Sequence, residues 1–188
     1  NKDTKMLLTP GPTPVPEFVR KAMADITIHH RTEEFEAIFK NTRELLIELY
    51  GLPEVVMLAS SGTGAMEACV TNLTHKKALT INSGKFGERF GKICAAFGID
   101  YTEIKNEWNT PVSVEAVVEA IKADSSIDAV FIQICESAGG LRHPVEQIAA
   151  EIKKINKDIT IVADGITAVG VEKIDTTKKY IDEFCTKW

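Results

Sequence analysis

Apolar positions along this chain follow two rhythms, one of strands and one of helices. The runs 55–59 (Val55, Val56, Met57, Leu58, Ala59), 78–81, 129–135 and 159–163 are short and nearly continuous, the pattern of strands buried on both faces of a parallel sheet. The segment 99–104 alternates and predicts one more strand. Between these runs the pattern changes to the helical period over 65–73, 86–97, 112–122 and 144–155. In the last of these, Val145, Ile148, Ile152 and Ile155 fall on one stripe. Gly98 is placed to close the second helix, and Thr110 with Pro111 to start the third. Strand and helix in alternation predict an α/β fold, a mostly parallel sheet with helices on both faces.

The chemistry-bearing residues fall where this alternation matters most. Ser61, Gly62, Thr63 and Gly64, then the stretch 83–86, then Glu136 and Ser137, then Asp164 and Gly165, all stand just past the carboxyl ends of predicted strands. In open α/β sheets ligands bind along that edge. The turn at 60–64 joins an apolar run to helix-forming residues, and its two glycines let the backbone turn sharply while Ser61 and Thr63 supply hydroxyls. A helix starting there directs free N–H groups and the positive end of its dipole into the turn, a setting for a phosphate. An ordinary strand-to-helix loop has the same composition. Asp164, ending an apolar run, is either a partly buried carboxylate in need of a partner or a helix N-cap.

Two familiar phosphate loops do not fit. The dinucleotide fingerprint requires a glycine where Glu67 stands, and after Gly84 and Lys85 the P-loop requires a hydroxyl where Phe86 stands. The turn therefore predicts phosphate held by backbone and hydroxyl groups without a metal.

Composition narrows the classes. A chain of 188 residues with 44% hydrophobic residues has the makings of one main domain with a substantial core. A net charge of −5 and the lack of a basic run argue against nucleic acid as a partner. No apolar stretch reaches the length of a membrane span and no signal-peptide core opens the sequence, so the cytoplasm is the expected location. Cys69, Cys94, Cys135 and Cys185 are widely spaced, and the histidines are scattered apart from the adjacent His29 and His30, so neither a zinc site nor a disulfide framework is expected.

Taken in order, these motifs resemble the class V, fold-type I aminotransferases that use pyridoxal 5'-phosphate (PLP), in particular the alanine/glyoxylate and serine/pyruvate group. The segment Thr9, Pro10, Gly11, Pro12, Thr13, Pro14, Val15, Pro16 looks like that group's N-terminal element. His30, Arg31 and Thr32 look like its His-Arg element, the stretch 61–68 like its cofactor-phosphate turn, and Gly84, Phe86, Gly87 and Arg89 like a later element. The resemblance implies that Ser61, Gly62, Thr63 and Gly64 hold the PLP phosphate and that Phe86 stacks on the pyridine ring. By the same likeness Ser137 sits beside the phenolic oxygen, Asp164 pairs with the pyridinium nitrogen, and Gly11 and Pro12 line the substrate side. It further implies a homodimer, amino acid and 2-oxo acid substrates, an N-terminal segment 1–20 lining the site and a cofactor-binding large domain over 21–188.

The departures from the family pattern carry their own expectation. After Glu136 the chain reads Ser137, Ala138, Gly139, Gly140, with fewer hydroxyls than the family has. The family lysine that holds the cofactor covalently, in a Gly-Ser-x-Lys element, is expected just after Trp188, and Lys187 lacks that context. By the same likeness the C-terminal small domain that carries the substrate-binding arginine is expected to be missing from this stretch of sequence. The chain is therefore expected to be a truncated aminotransferase that assigns no catalytic residue of its own and is inactive alone. Two alternatives are a non-catalytic PLP or phosphate-binding subunit completed by another chain, and another class V activity such as a lyase or desulfurase.

Overall fold

The computed structural model describes residues 7–172, 174 and 181–186. Two helices come first, α1 (Glu17–Met23) and α2 (Glu33–Tyr50), then α3 (Gly62–Leu73). An alternation follows: β1 (Lys77–Asn82), α4 (Lys85–Ala96), β2 (Tyr101–Lys105), α5 (Val114–Ala123) and β3 (Ile127–Gln133). The chain continues through the short β4 (Cys135–Glu136) and β5 (Leu141–Arg142), α6 (Val145–Ile155), β6 (Thr160–Asp164) and β7 (Glu183–Cys185). Five strands pair in parallel in the order β2-β1-β3-β6-β7, while β4 and β5 form a separate antiparallel ladder.

Side chains alternate across the sheet and make a core on each face. Leu79 and Ile81 of β1, Val130 and Ile132 of β3, and Ile161 and Ala163 of β6 meet α5 and α6 through Val117, Ile121, Ile148 and Ile152. Their neighbours Ala78, Ala129, Phe131 and Val162 meet α3 and α4 through Met66, Val70, Phe90 and Ile93. Period-2 alternation with both faces apolar is why the strands read as continuous hydrophobic runs. The sheet is mostly parallel with helices on both faces, as the alternation predicted.

The expected strand at 55–59 is corrected. Residues 54–58 have no regular secondary structure, pair with none of the five strands, and leave Val56 79% exposed. Apolar, β-branched composition states a preference for burial, but a strand also needs a neighbour for its backbone N–H and C=O groups. Before Ser60 the only buried residue among those described is Tyr50, so this whole N-terminal part lies outside both cores. Other adjustments are local. α5 is capped by Ser113, whose hydroxyl accepts from the Ala116 N–H at 3.1 Å, rather than by Thr110. The run 129–135 ends its sheet pairing at Gln133 and passes into β4. Gly98, with φ of 67°, lies just beyond α4 where the sequence placed its end.

Closeness between α4 and β1 depends on Gly87. A Cβ at that position would stand 2.4 Å from the Ile81 carbonyl oxygen and 2.9 Å from the Asn82 Cα, both backbone atoms that cannot swing aside. Gly87→Ala gains about 1 kcal/mol in helix propensity but forces α4 outward at a strain of roughly 1–3 kcal/mol or more. A lower urea midpoint with unchanged slope is expected for G87A; a raised midpoint would show that the helix is not seated on the strand as described.

Candidate functional site

The carboxyl edge of the sheet brings three turns together. α3 begins at Gly62, with Ser61 at its N-cap in extended conformation and no side chain bonding to its amides. β1 leads through Ser83 and Gly84 into α4, which carries Phe86 and Arg89. β6 ends at Asp164, beside Gln133 of β3 and Cys185 of β7 in the sheet register. Between them lies a cleft of about 200 Å³ lined by Ser61, Gly62, Thr63, Phe86, Arg89 and Asp164, with Met66, Ile166 and Thr186 completing its wall.

Each wall offers a different chemistry. The first amides of α3, uncapped, and the Thr63 hydroxyl form an anion-binding corner. Arg89 reinforces it: its Nη1 donates to Thr63 Oγ1 at 3.0 Å, and among the described residues its guanidinium forms no ion pair with a carboxylate. The same guanidinium lies 4.9 Å from the centroid of the half-buried Phe86 ring, at cation–π distance. Arg89 therefore ties the anion corner to the aromatic wall.

Asp164 supplies the opposite charge. It is 5% exposed, and its Oδ1 accepts from the Ile166 N–H at 3.1 Å: it is a carboxylate in the cleft wall that braces the following turn, and not a helix N-cap, since among the described residues no helix starts there. Burial pushes its carboxyl up to about 6, with the Glu136 carboxylate adding to the rise and the Ile166 N–H and Arg89 opposing it. Among the described residues no cation forms a salt bridge with it. A buried carboxylate raised in this way is stabilised by any cationic group that enters the cleft beside it.

Of the residues singled out in the sequence, Ser61, Gly62, Thr63, Phe86 and Asp164 line one cleft. Gly64 is one residue deeper in α3, and Ser137 is half-buried in the turn after β4; neither lines the cleft. Gly11 and Pro12 are exposed and also lie outside its lining. Lys187 and Trp188 fall outside the described residues. Arg89, Met66, Ile166 and Thr186 were given no role by the sequence reading. Helical spacing could have found two of them, since Arg89 follows Phe86 and Met66 follows Thr63 by one helical turn.

A ligand suited to these walls carries an anion at one end and a flat ring with a cationic edge at the other. The family profile described as Aminotransferase class-V matches residues 7–186. The chain belongs to the class V aminotransferases. This class V chain is 51% identical, over 92% of its length and 47% of the relative's, to an aminotransferase of Helicobacter pylori strain J99. It is 27% identical to the serine–glyoxylate aminotransferase of Methylorubrum extorquens, over 87% of this chain and 42% of that protein. Its structure is similar to an aspartate aminotransferase of Thermus thermophilus with a TM-score of 0.87 and 29% identity, covering 95% of this chain and 51% of that one. The chain thus spans about half the length of the relatives it matches. Class V aminotransferases are PLP-dependent, and the anion corner, the aromatic wall and the buried carboxylate of this chain fit that cofactor.

Proposed function

We propose that this chain forms the cofactor-binding part of a PLP-dependent aminotransferase that moves an amino group between an amino acid and a 2-oxo acid. The observation that carries this reading is the meeting, in one cleft, of the uncapped α3 N-terminus with a buried Asp164 that forms no salt bridge among the described residues. Bound PLP supplies the electron sink for amino-group chemistry. The chain's own residues supply the setting. The amides of Gly62 and Thr63 and the hydroxyls of Ser61 and Thr63 bind the phosphate, Gly64 lets the turn close through its amide on the Ser61 carbonyl at 2.9 Å, and Phe86 offers a face for the ring. Asp164, ionised beside the pyridine nitrogen, keeps a proton on that nitrogen. Ser137 contributes its hydroxyl near the phenolic oxygen.

In the same reading, residues 1–20, with Gly11 and Pro12, line the substrate side, and residues 21–188 form the cofactor domain. The protein acts in the cytoplasm as a homodimer. Support for the dimer comes from the apolar surface ahead of α3: Phe18, Ile26, Phe39, Leu49 and Val56 are exposed, more than a solvated segment usually carries. Among the described residues no helix is long and apolar enough to cross a membrane.

Titration of the purified chain with PLP, followed by near-ultraviolet absorbance, tests the reading. Saturable binding of about one equivalent per chain is expected. Borohydride reduction and mass spectrometry then show whether any lysine of this chain takes the cofactor covalently. A chain that binds no PLP at all would remove the proposal.

A further inference from the structure

Two helices open toward the cleft, and they are finished differently. α3 leaves its first amides uncapped, whereas α4 is capped by a residue far away in sequence. The N-cap position of α4 is Gly84, which has no side chain to offer. The amides of Phe86 and Gly87 both donate instead to Glu136 Oε2 at 2.9 Å. The other oxygen, Oε1, accepts from the Ala138 N–H at 3.2 Å. The Glu136 side chain is 0% exposed, and burying a carboxylate is costly unless its lone pairs are used as fully as they are here. Gly84 is shaped around it: a Cβ there would stand 2.5 Å from Glu136 Cγ and 2.6 Å from Cδ.

We infer that Glu136 is the positioning residue of the cleft, holding Phe86 at the start of α4 in register with the turn that bears Ser137. The inference rests on the proposed PLP function and goes further than it, because Glu136 lines no part of the cleft and would touch no cofactor. One carboxylate joins two parts of the chain: α4, which supplies the aromatic wall, and the β4 turn. The amide of Phe86 is fixed on the same residue whose ring forms the wall, so a shift of the carboxylate moves the ring. A helix cap alone needs no partner from another strand, since Ser, Thr, Asp or Asn at position 84 would serve. Using Glu136 gives up that local solution and ties the helix to the ligand edge.

A double-mutant cycle in PLP affinity tests this, with amide hydrogen exchange as a cofactor-free readout. Glu136→Ala is expected to weaken PLP binding about tenfold, and in a Phe86→Ala background the same change is expected to cost about twofold or less. Glu136→Gln keeps an acceptor for the Phe86 and Gly87 amides, so it should recover most of the affinity and the induced circular dichroism of the bound ring. If Glu136→Ala does not fold, Glu136→Asp, whose shorter side chain draws the carboxylate back from the Phe86 and Gly87 amides, carries the cycle. In the cofactor-free protein, exchange at Phe86 and Gly87 should speed up in Glu136→Ala while exchange in the centre of β3 stays as in the wild type. Equal losses in both backgrounds, or unchanged exchange at Phe86 and Gly87, would overturn the inference. A wild-type chain that binds no PLP overturns the functional reading instead, and the exchange measurement then still decides whether Glu136 holds α4.

Discussion

Phe131→Ala is expected to lower the unfolding free energy by about 3–5 kcal/mol. Phe131 sits on β3, the central strand of the sheet, and is fully buried. Its ring lies 5.2 Å from that of Phe90 on α4 at an interplanar angle of 40°, a tilted pair that adds to the area both rings bury. Met66 and Val70 of α3 belong to the same apolar cluster, so this residue lies under both helices whose ends form the cleft. Deleting the ring leaves a cavity between two helices and a five-stranded sheet, and a rigid sheet cannot close in to fill it. Urea unfolding by far-ultraviolet circular dichroism measures the loss. A cost under about 1 kcal/mol would mean that α3 and α4 are held on the sheet by something other than this cluster. Weaker PLP binding should accompany the loss, because both walls of the cleft ride on the same support.

That dependence explains which parts of the fold were legible. The runs 78–81, 129–135 and 159–163 announced themselves because burial on both faces removes polar residues from every position. The run 55–59 sent the same message and was misread, since burial preference says nothing of whether a strand pairs with it; among the described residues none does, and Val56 and Leu58 face solvent. Helices α1 and α2 drew no prediction. α2 nevertheless has a capping Thr32, whose Oγ1 accepts from the Phe35 N–H at 3.3 Å, and an acidic first turn of Glu33, Glu34 and Glu36. The hairpin of β4 and β5 is two residues per strand, too short for any periodicity to show.

The cleft was legible to a different extent. Phe86 and Asp164 could be placed on one edge because each follows an apolar run that is a strand of the sheet; Ser61, Gly62 and Thr63 reach the same cleft although the run before them is no strand. Long-range pairings could not be foreseen. Arg89 reaches Thr63 across 26 residues and Glu136 reaches Phe86 across 50, and no local pattern encodes a contact that distant. Physical reasoning on single residues finds the walls of a site; the side chains that hold the walls apart at the right distance emerge only from tertiary packing.

Asp164→Asn is expected to strengthen the cofactor-free protein at neutral pH and to weaken its hold on PLP. In the native chain burial raises the Asp164 carboxyl to about 6, against 3.8 for the unperturbed group, so between those values the folded state binds the extra proton. Stability from this residue is therefore present below about 3.8 and lost as pH rises through 6. Above that point the buried charge costs on the order of 2–3 kcal/mol, which an asparagine does not pay. His143 acts in the other direction: burial lowers it to about 4, so its contribution is present above 6.5 and lost as pH falls toward 4. The two slopes oppose each other between pH 4 and 6 in the native chain, and D164N should leave the His143 slope alone, with acid stability falling more steeply than in the wild type. Thermal melts across that range check both signs. Affinity runs the opposite way, since a pyridinium needs an anion beside it: D164N should bind PLP about 100-fold more weakly at pH 8, and the gap should narrow as pH drops below about 6 and the native Asp164 takes up its proton. PLP ionises identically for both proteins, so the ratio of their affinities isolates Asp164. A ratio that stays flat with pH would mean that the ring nitrogen is not held by this carboxylate, and a variant both less stable and equally tight would mean that Asp164 serves only the turn it braces.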